Sequence, residues 1–219
     1  MILMRLCLSA AALMALLAAC QRLLAAASVS CRLSAQGVSL GTSDGIDYAH
    51  LDRANQRIYV AGDGGIDVWN ARSGAPVGRI RDISGTTGIV TAPSFNRGFA
   101  AEGSTGTISI FNLSTLQVVG RIPYGNPPNG MVFDAATGTV AAVSSAGRDV
   151  RLIDAASGTV VGAVQLAGSP RAMWSRGDGM LYLRLDRPAR IVRVSLGARR
   201  VDARWPWTAC KGPHYVAAQ

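Results

Sequence analysis

The chain has 219 residues, with 22 Lys and Arg against 13 Asp and Glu, a formal net charge of +9 and only two histidines. A Ser-His-acid triad needs a histidine close to a nucleophile, and no motif places a serine beside His50 or His214. The sequence also lacks CxxC, HExxH and EF-hand spacings. We therefore predict a protein that is not an enzyme and that has no metal site and no cofactor.

The first residues have the pattern of an export signal. Arg5 precedes an uncharged run over residues 6–19, which is as long as the hydrophobic region of a signal peptide and too short to span a bilayer. Two processing sites are open: cleavage that removes residues 1–27, or cleavage that removes residues 1–19 and leaves a lipidated Cys20, as in a bacterial lipobox. Both predict an exported, periplasmic protein. If Cys20 is lipidated, the lipid is the membrane anchor. The residue that follows it is a glutamine, as in outer-membrane lipoproteins, and this resemblance implies an outer-membrane destination.

Beyond this segment the chain repeats itself about every 42 residues. The tripeptide at 69–71 aligns with those at 111–113, 153–155 and 194–196, in steps of 42, 42 and 41 residues. Apolar runs of four to six residues, rich in Val, Ile and aromatics and bounded by Gly, Asn, Asp and Ser, predict strands within each unit. Fixed-period self-similarity of this length indicates a repeat architecture.

The turns between these runs have a recognisable chemistry. In 134–138 and 154–158 an Asp can cap the turn, and a Gly at the end can take positive φ and start the next strand. Each unit is therefore predicted to be a four-stranded antiparallel meander, which at about 40 residues is the blade of an all-β propeller. The predicted blades span 44–83, 85–124, 125–166 and 168–207, and 208–219 align with the opening strand of an incomplete fifth blade.

The motif at 57–62, RIYVAG, followed by the motif at 66–80, IDVWNARSGAPVGRI, resembles the YVTN-repeat propellers, the YncE-like family of bacterial exported proteins. The resemblance extends from 38 to 210 and implies a closed ring of seven blades, of which about four and a half are present. We expect either a truncated copy of a longer protein or an open ring, whose bare blade edge would favour self-association.

Propellers usually bind ligands at one end of the central channel, on loops that lead into the innermost strand of each blade. Reading these positions from the repeat gives a channel-mouth ring that we predict to bind a ligand, formed by Asp47, Tyr48, Asn129, Arg171 and His214. The alternative is that these are solvated turn residues. His50 is predicted to lie in mid-strand as a packed residue.

The positive charge is concentrated in the fourth unit. Residues 168–207 contain nine arginines and three aspartates, a local charge of +6. Six of these arginines form a predicted anion-binding patch that would attract phosphates, anionic lipid head groups or acidic polymers: Arg184, Arg187, Arg190, Arg193, Arg199 and Arg200. The alternative is that these arginines simply lie on solvated strand faces. The interleaved aromatic residues suit stacking on bases, although three of the four lie in strand register, which favours the blade core: Trp174, Tyr182, Trp205 and Trp207.

Two cysteines, Cys31 and Cys210, remain outside the export segment, and an oxidising compartment permits a disulfide between them. The family resemblance implies another arrangement, in which the cysteine at the position of Cys210 pairs further downstream. Both alternatives stay open.

The sequence as a whole favours an exported, non-enzymatic propeller that binds a protein or an anionic ligand. One alternative is the remnant of a propeller enzyme, hydrolase or dehydrogenase-like, whose catalytic blades are missing. Another is single-stranded nucleic-acid binding through the arginine-rich fourth blade, which would depend steeply on salt.

Overall fold

The computed structural model describes residues 48–62 and 64–206, all within the compact unit Leu40–Gln219. These residues form four sheets of four strands. The first sheet contains β1 (Tyr48–Asp52), β2 (Arg57–Gly62), β3 (Gly65–Asn70) and β4 (Pro76–Arg81). The second contains β5 (Thr86–Ala92), a 3-10 turn (Pro93–Phe95), β6 (Arg97–Glu102), β7 (Thr107–Asn112) and β8 (Val118–Pro123). The third contains β9 (Gly130–Asp134), β10 (Thr139–Val143), β11 (Asp149–Asp154) and β12 (Thr159–Gln165). The fourth contains β13 (Ser169–Ser175), β14 (Met180–Asp186), β15 (Arg190–Ser195) and β16 (Arg200–Pro206).

Every sheet is an antiparallel meander in chain order, with sequence neighbours paired. The innermost strands β1, β5, β9 and β13 are neighbours in that order and line the central channel. The predicted all-β propeller fold with four-stranded blades is therefore confirmed, and the four complete sheets agree with the four complete blades expected. The predicted signal segment 1–27, with Cys20, lies outside the described residues, as do Cys31, Cys210 and the incomplete fifth blade.

The hydrophobic core lies between the blades. Because strand side chains alternate between two faces, the second and third blades each contribute one apolar face to the preceding blade and one to the following blade. Between the first two blades, Tyr59 and Ile66 pack against Ile89 and Phe111. Corresponding clusters join the second blade to the third and the third to the fourth. The seams between blades are thus the main sites of apolar burial.

The predicted Asp turns are present, and one of them also joins two blades. Asp154 caps its turn by accepting a 2.7 Å hydrogen bond from the Ser157 amide. Asp134 accepts a 3.0 Å bond from the Thr137 amide in the same way, and its other oxygen accepts bonds from the Ser175 hydroxyl at 2.7 Å and the Gly179 amide at 3.0 Å. Ser175 and Gly179 belong to the fourth blade, so the buried Asp134 carboxylate connects it to the third.

The expectation that three aromatic residues of the fourth blade fill the core is wrong for Trp205, which is 43% exposed. Alternate residues of β14, Leu181 and Leu183, pack against the third blade, so Tyr182 lies on the opposite face. There it stacks on Trp174, with ring centroids 5.3 Å apart, and on Trp205 at 6.5 Å. Trp207 lies outside the described residues.

No helix in the described ranges is long and apolar enough to cross a membrane.

Candidate functional site

A cavity of about 290 Å³ opens where the four innermost strands begin, and we call it the channel-mouth cavity. Each blade contributes to its wall, because β1, β5, β9 and β13 all start at this end. The cavity is lined by Tyr48, Thr87, Asn129, Gly130, Met131, Val143, Pro170, Arg171, Ala172 and Met173.

The cavity brings together three of the five residues predicted for the channel-mouth ring, namely Tyr48, Asn129 and Arg171. The other two, Asp47 and His214, lie outside the described residues. Sequence reasoning missed Thr87 and the two methionines that line the same space. Thr87 directly precedes Gly88, the second-blade position that the repeat aligns with Asn129, so widening each position by one residue would have found it.

Arg171 is held at the cavity by an ion pair across the β13–β14 pair. Its Nε donates to Asp186 Oδ2 at 2.8 Å, and Arg184 Nη2 donates to Asp186 Oδ1 at 3.1 Å. The hydrogen bond from Arg171, assisted by the one from Arg184, lowers the pKa of Asp186. Two guanidinium groups therefore share one ionised carboxylate.

Asn129 shapes the loop that enters the third blade. Its amide donates to the Val143 carbonyl at 3.0 Å, and its side-chain oxygen accepts a 3.0 Å bond from the Ser145 amide. Its side-chain nitrogen donates to the Ser145 hydroxyl. The Thr87 hydroxyl donates to the carbonyl of Pro128, one residue before Asn129, and so ties the second blade to this loop. These hydrogen bonds fix the conformation of the loop around Asn129 at the channel-mouth cavity.

The remaining wall combines one phenol with apolar side chains. Burial raises the pKa of Tyr48, so its hydroxyl is a neutral donor at physiological pH, and it has no hydrogen-bond partner among the described residues. Met131, Met173 and Val143 supply an apolar surface beside it. Such a site suits a molecule with an apolar body and one acidic group.

His50 lies further along β1 and is half-buried, as a packed strand residue. Its Nε2 is 3.1 Å from Thr91 Oγ1, so it joins the innermost strands of the first two blades. Burial lowers the pKa of His50, and the nearby Asp52 carboxylate opposes this effect only in part. The imidazole is therefore neutral at pH 7. The described residues contain no group of three or more His, Cys, Asp or Glu that could hold a metal ion.

Comparison with protein-family models gave no match, and comparison with curated protein sequences gave none either. Among solved structures, the chain is similar to hydrazine synthase from Kuenenia stuttgartiensis, with a TM-score of 0.67 and 15% identity. The match covers 77% of this chain and 51% of that one, so this chain spans about half the length of that structure. The chain is a β-propeller. At this identity the likeness shows the fold alone.

The six arginines of the predicted anion-binding patch lie at different positions on the fourth blade and do not form one group. Three are engaged by the protein itself: Arg184 with Asp186, Arg193 with Asp202 at 2.9 Å, and Arg199 with the Val161 carbonyl at 2.6 Å. Arg187 and Arg190 lie at the β14–β15 turn, whereas Arg199 and Arg200 lie at the other end of the strands. Six residues of β15 separate the two ends by roughly 20 Å. Anion binding at these residues stays a prediction.

Proposed function

We propose that this chain is an exported, non-enzymatic propeller of the YVTN-repeat, YncE-like kind, and that its channel-mouth cavity binds an acidic group of a partner protein or of another anionic ligand. The observation that supports this best is the shared cavity itself. Tyr48, Asn129 and Arg171, which are far apart in the sequence, line one space of about 290 Å³.

The charges around the cavity favour an anion. Among the described residues, its lining includes Arg171 and no Asp or Glu, and the Asp186 carboxylate that Arg171 contacts is shared with Arg184. The Tyr48 hydroxyl is a second donor that the described residues leave available. A carboxylate that accepts bonds from a guanidinium and a phenol would gain charge-assisted hydrogen bonds, which are stronger than neutral ones.

The apolar wall favours a ligand with a hydrophobic portion beside the acidic group. Met131 and Met173 face the same space as Val143 and Pro170. Methionine side chains are unbranched and polarizable, so they adapt to ligands of different shape. A peptide with a glutamate between apolar residues combines both features, and it is the ligand class that the cavity suits best.

The tripeptide N-acetyl-Leu-Glu-Leu-amide serves as a probe for this site. Isothermal titration calorimetry should show it binding to the full chain at least tenfold more tightly than the same peptide with Gln in place of Glu. Arg171→Gln should remove this preference, because a hydrogen bond to a charged group contributes about 1.5–3 kcal/mol, which is about tenfold or more in affinity.

Arg176→Gln is the matched control, since Arg176 is an exposed arginine in the β13–β14 turn and does not line the cavity. Binding by this variant should equal that of the unmodified chain. If the Glu and Gln peptides bind equally, or if both variants lose binding to the same degree, the proposed site is wrong.

Export is a separate part of the proposal, supported by Arg5 and the uncharged run 6–19. In a Gram-negative host, the N-terminus of the secreted product should be residue 28, or it should be a lipidated Cys20 that incorporates radiolabelled palmitate. Cys20→Ser should abolish the label in the second case and leave the first unchanged. A full-length, unprocessed chain in the cytoplasm would contradict export.

A further inference from the structure

The seam between the first two blades contains a buried acidic side chain, Glu102, at the end of β6. Glu102 is 4% exposed, and it lies on the same face of β6 as Ala100, which belongs to the apolar cluster of this seam. The repeat does not require an acid here. Counted from the start of the second strand, the corresponding residues of the other blades are Gly62, Ser144 and Leu185. Because burial of a carboxylate is costly unless the charge is balanced, Glu102 needs an explanation of its own.

The described residues give Glu102 only neutral hydrogen-bond partners. Its Oε1 accepts a bond from the Ser109 hydroxyl, and its Oε2 accepts a 3.3 Å bond from the Ser84 amide. Arg121 lies opposite Ser109 in the β7–β8 register, but its Nη2 donates to the Asp82 carbonyl at 2.8 Å. No arginine, lysine or histidine in the described part of the chain forms an ion pair with Glu102. The protein therefore offers this carboxylate hydrogen bonds without a balancing positive charge.

A second unusual group, the Thr86 hydroxyl, lies beside this carboxylate. Thr86 pairs with Glu102 in the β5–β6 register, so the two side chains lie on the same face of the blade. Thr86 is 3% exposed, and its Oγ1 has no hydrogen-bond partner among the described residues. Such a group in a folded protein usually indicates a bound water or ion. We call Thr86, Glu102 and Ser109 together the Glu102 cluster.

We propose that the Glu102 cluster binds a hard cation, either Na⁺ or Ca²⁺. Carboxylate, hydroxyl and carbonyl oxygens are the ligands that such cations take. A cation here would balance the buried charge of Glu102 and also give the Thr86 hydroxyl a partner. The turns 82–85 and 103–106 border the cluster and can supply backbone carbonyls as further ligands. This inference departs from the prediction of no metal site, because the motifs considered there are contiguous, whereas these three side chains come from three strands.

Thermal unfolding of the full chain tests the proposal. The chain is first dialysed against EDTA into tetramethylammonium chloride, and NaCl or CaCl₂ is then added at constant ionic strength. The Tm should rise by about 3–5 °C for each tenfold increase in the concentration of the bound cation above its Kd. A response to CaCl₂ in the micromolar range identifies Ca²⁺, and a response to NaCl with none to CaCl₂ identifies Na⁺.

Two substitutions assign this response to the cluster. Glu102→Gln and Thr86→Val should each move it to a cation concentration at least about tenfold higher, through loss of a ligand oxygen. Without added cation, Thr86→Val should be at least as stable as the unmodified chain, because it removes a buried hydroxyl that has no partner. If Glu102→Gln does not fold, Thr86→Val still decides the question.

Asp82→Asn is the matched control, since Asp82 is an exposed carboxylate in a turn that borders the cluster. Its φ of 62° suits asparagine, so the variant should fold and respond to cations as the unmodified chain does. The proposal is overturned if neither salt raises the Tm, or if the cluster variants respond at the same concentrations as Asp82→Asn. A bound water alone would give the first of these results. Peptide binding at the channel mouth is not measured here, so the two proposals fail independently.

Discussion

Phe111→Ala is expected to lower the free energy of unfolding by about 3–5 kcal/mol, the usual cost of removing a buried phenylalanine side chain. Phe111 is fully buried in the seam between the first two blades, and its ring lies 5.8 Å from the ring of Tyr59 in the first blade. The truncation leaves a cavity within that seam, so residues of both blades lose contacts with the ring. Urea unfolding followed by fluorescence measures the loss, with Val119→Ala as the control because Val119 is 57% exposed on the second blade.

Gly98 provides an independent test of the same packing. It stands opposite Phe111 in the β6–β7 register, and a Cβ at Gly98 would overlap the Phe111 ring. Gly98→Ala should therefore destabilise the chain by about 1–3 kcal/mol through overpacking. In a Phe111→Leu background the same change should cost clearly less, because the smaller side chain makes room. Strictly additive costs would contradict direct packing of these two residues.

Asp134→Ala is expected to cost about 3 kcal/mol, because it leaves the Gly179 amide and the Ser175 hydroxyl of the next blade without their acceptor. Asp134 itself is fully buried. Thermal or urea unfolding of the variant measures the loss. Asp178→Ala, an exposed aspartate in the β13–β14 turn, should change stability by less than about 0.5 kcal/mol.

The same carboxylate makes stability depend on pH. Burial by itself would raise the pKa of Asp134, but the hydrogen bonds from Ser175, Gly179 and Thr137 together outweigh it and lower the pKa. The stabilisation is therefore complete above the ordinary carboxyl pKa of about 3.9 and is lost as the pH falls through the lower folded-state pKa. The difference in the free energy of unfolding between the unmodified chain and Asp134→Asn should decrease as the pH is lowered from 5 to 2. A difference that stays constant over this range would show that Asp134 does not titrate as described.

The 42-residue repeat predicts the strands, their meander order and the positions where the innermost strand of each blade begins. It can do so because strand alternation and turn chemistry are local properties of the sequence. Asp134 and Asp154 illustrate this, since each caps the turn expected from its five-residue motif. The positions read from the repeat also placed Tyr48, Asn129 and Arg171 around one cavity. Their shared location follows from geometry, because equivalent positions of consecutive blades meet at the same end of a channel.

Side-chain partners across strands were not predictable in the same way. The ion pair between Arg171 and Asp186 depends on the register of β13 with β14, which no local motif specifies. The exposure of Trp205 depends on which neighbour covers the outer face of the fourth blade, and strand register alone assigned it to the core. Charge composition likewise revealed the excess of arginine in this blade, but not that Arg193 and Arg199 are engaged by the protein itself.

Because the apolar clusters lie between blades, a growing chain cannot complete any of them until the following unit is available. At a synthesis rate of about 5–20 residues per second, the roughly 42 residues of one unit take about 2–8 seconds to appear. During that interval the newest blade presents Tyr59 and Ile66, or their counterparts, without a covering partner. Of the three described seams, the one around Phe111 is the first that the emerging chain can close, and each later blade then adds to a surface that is already folded.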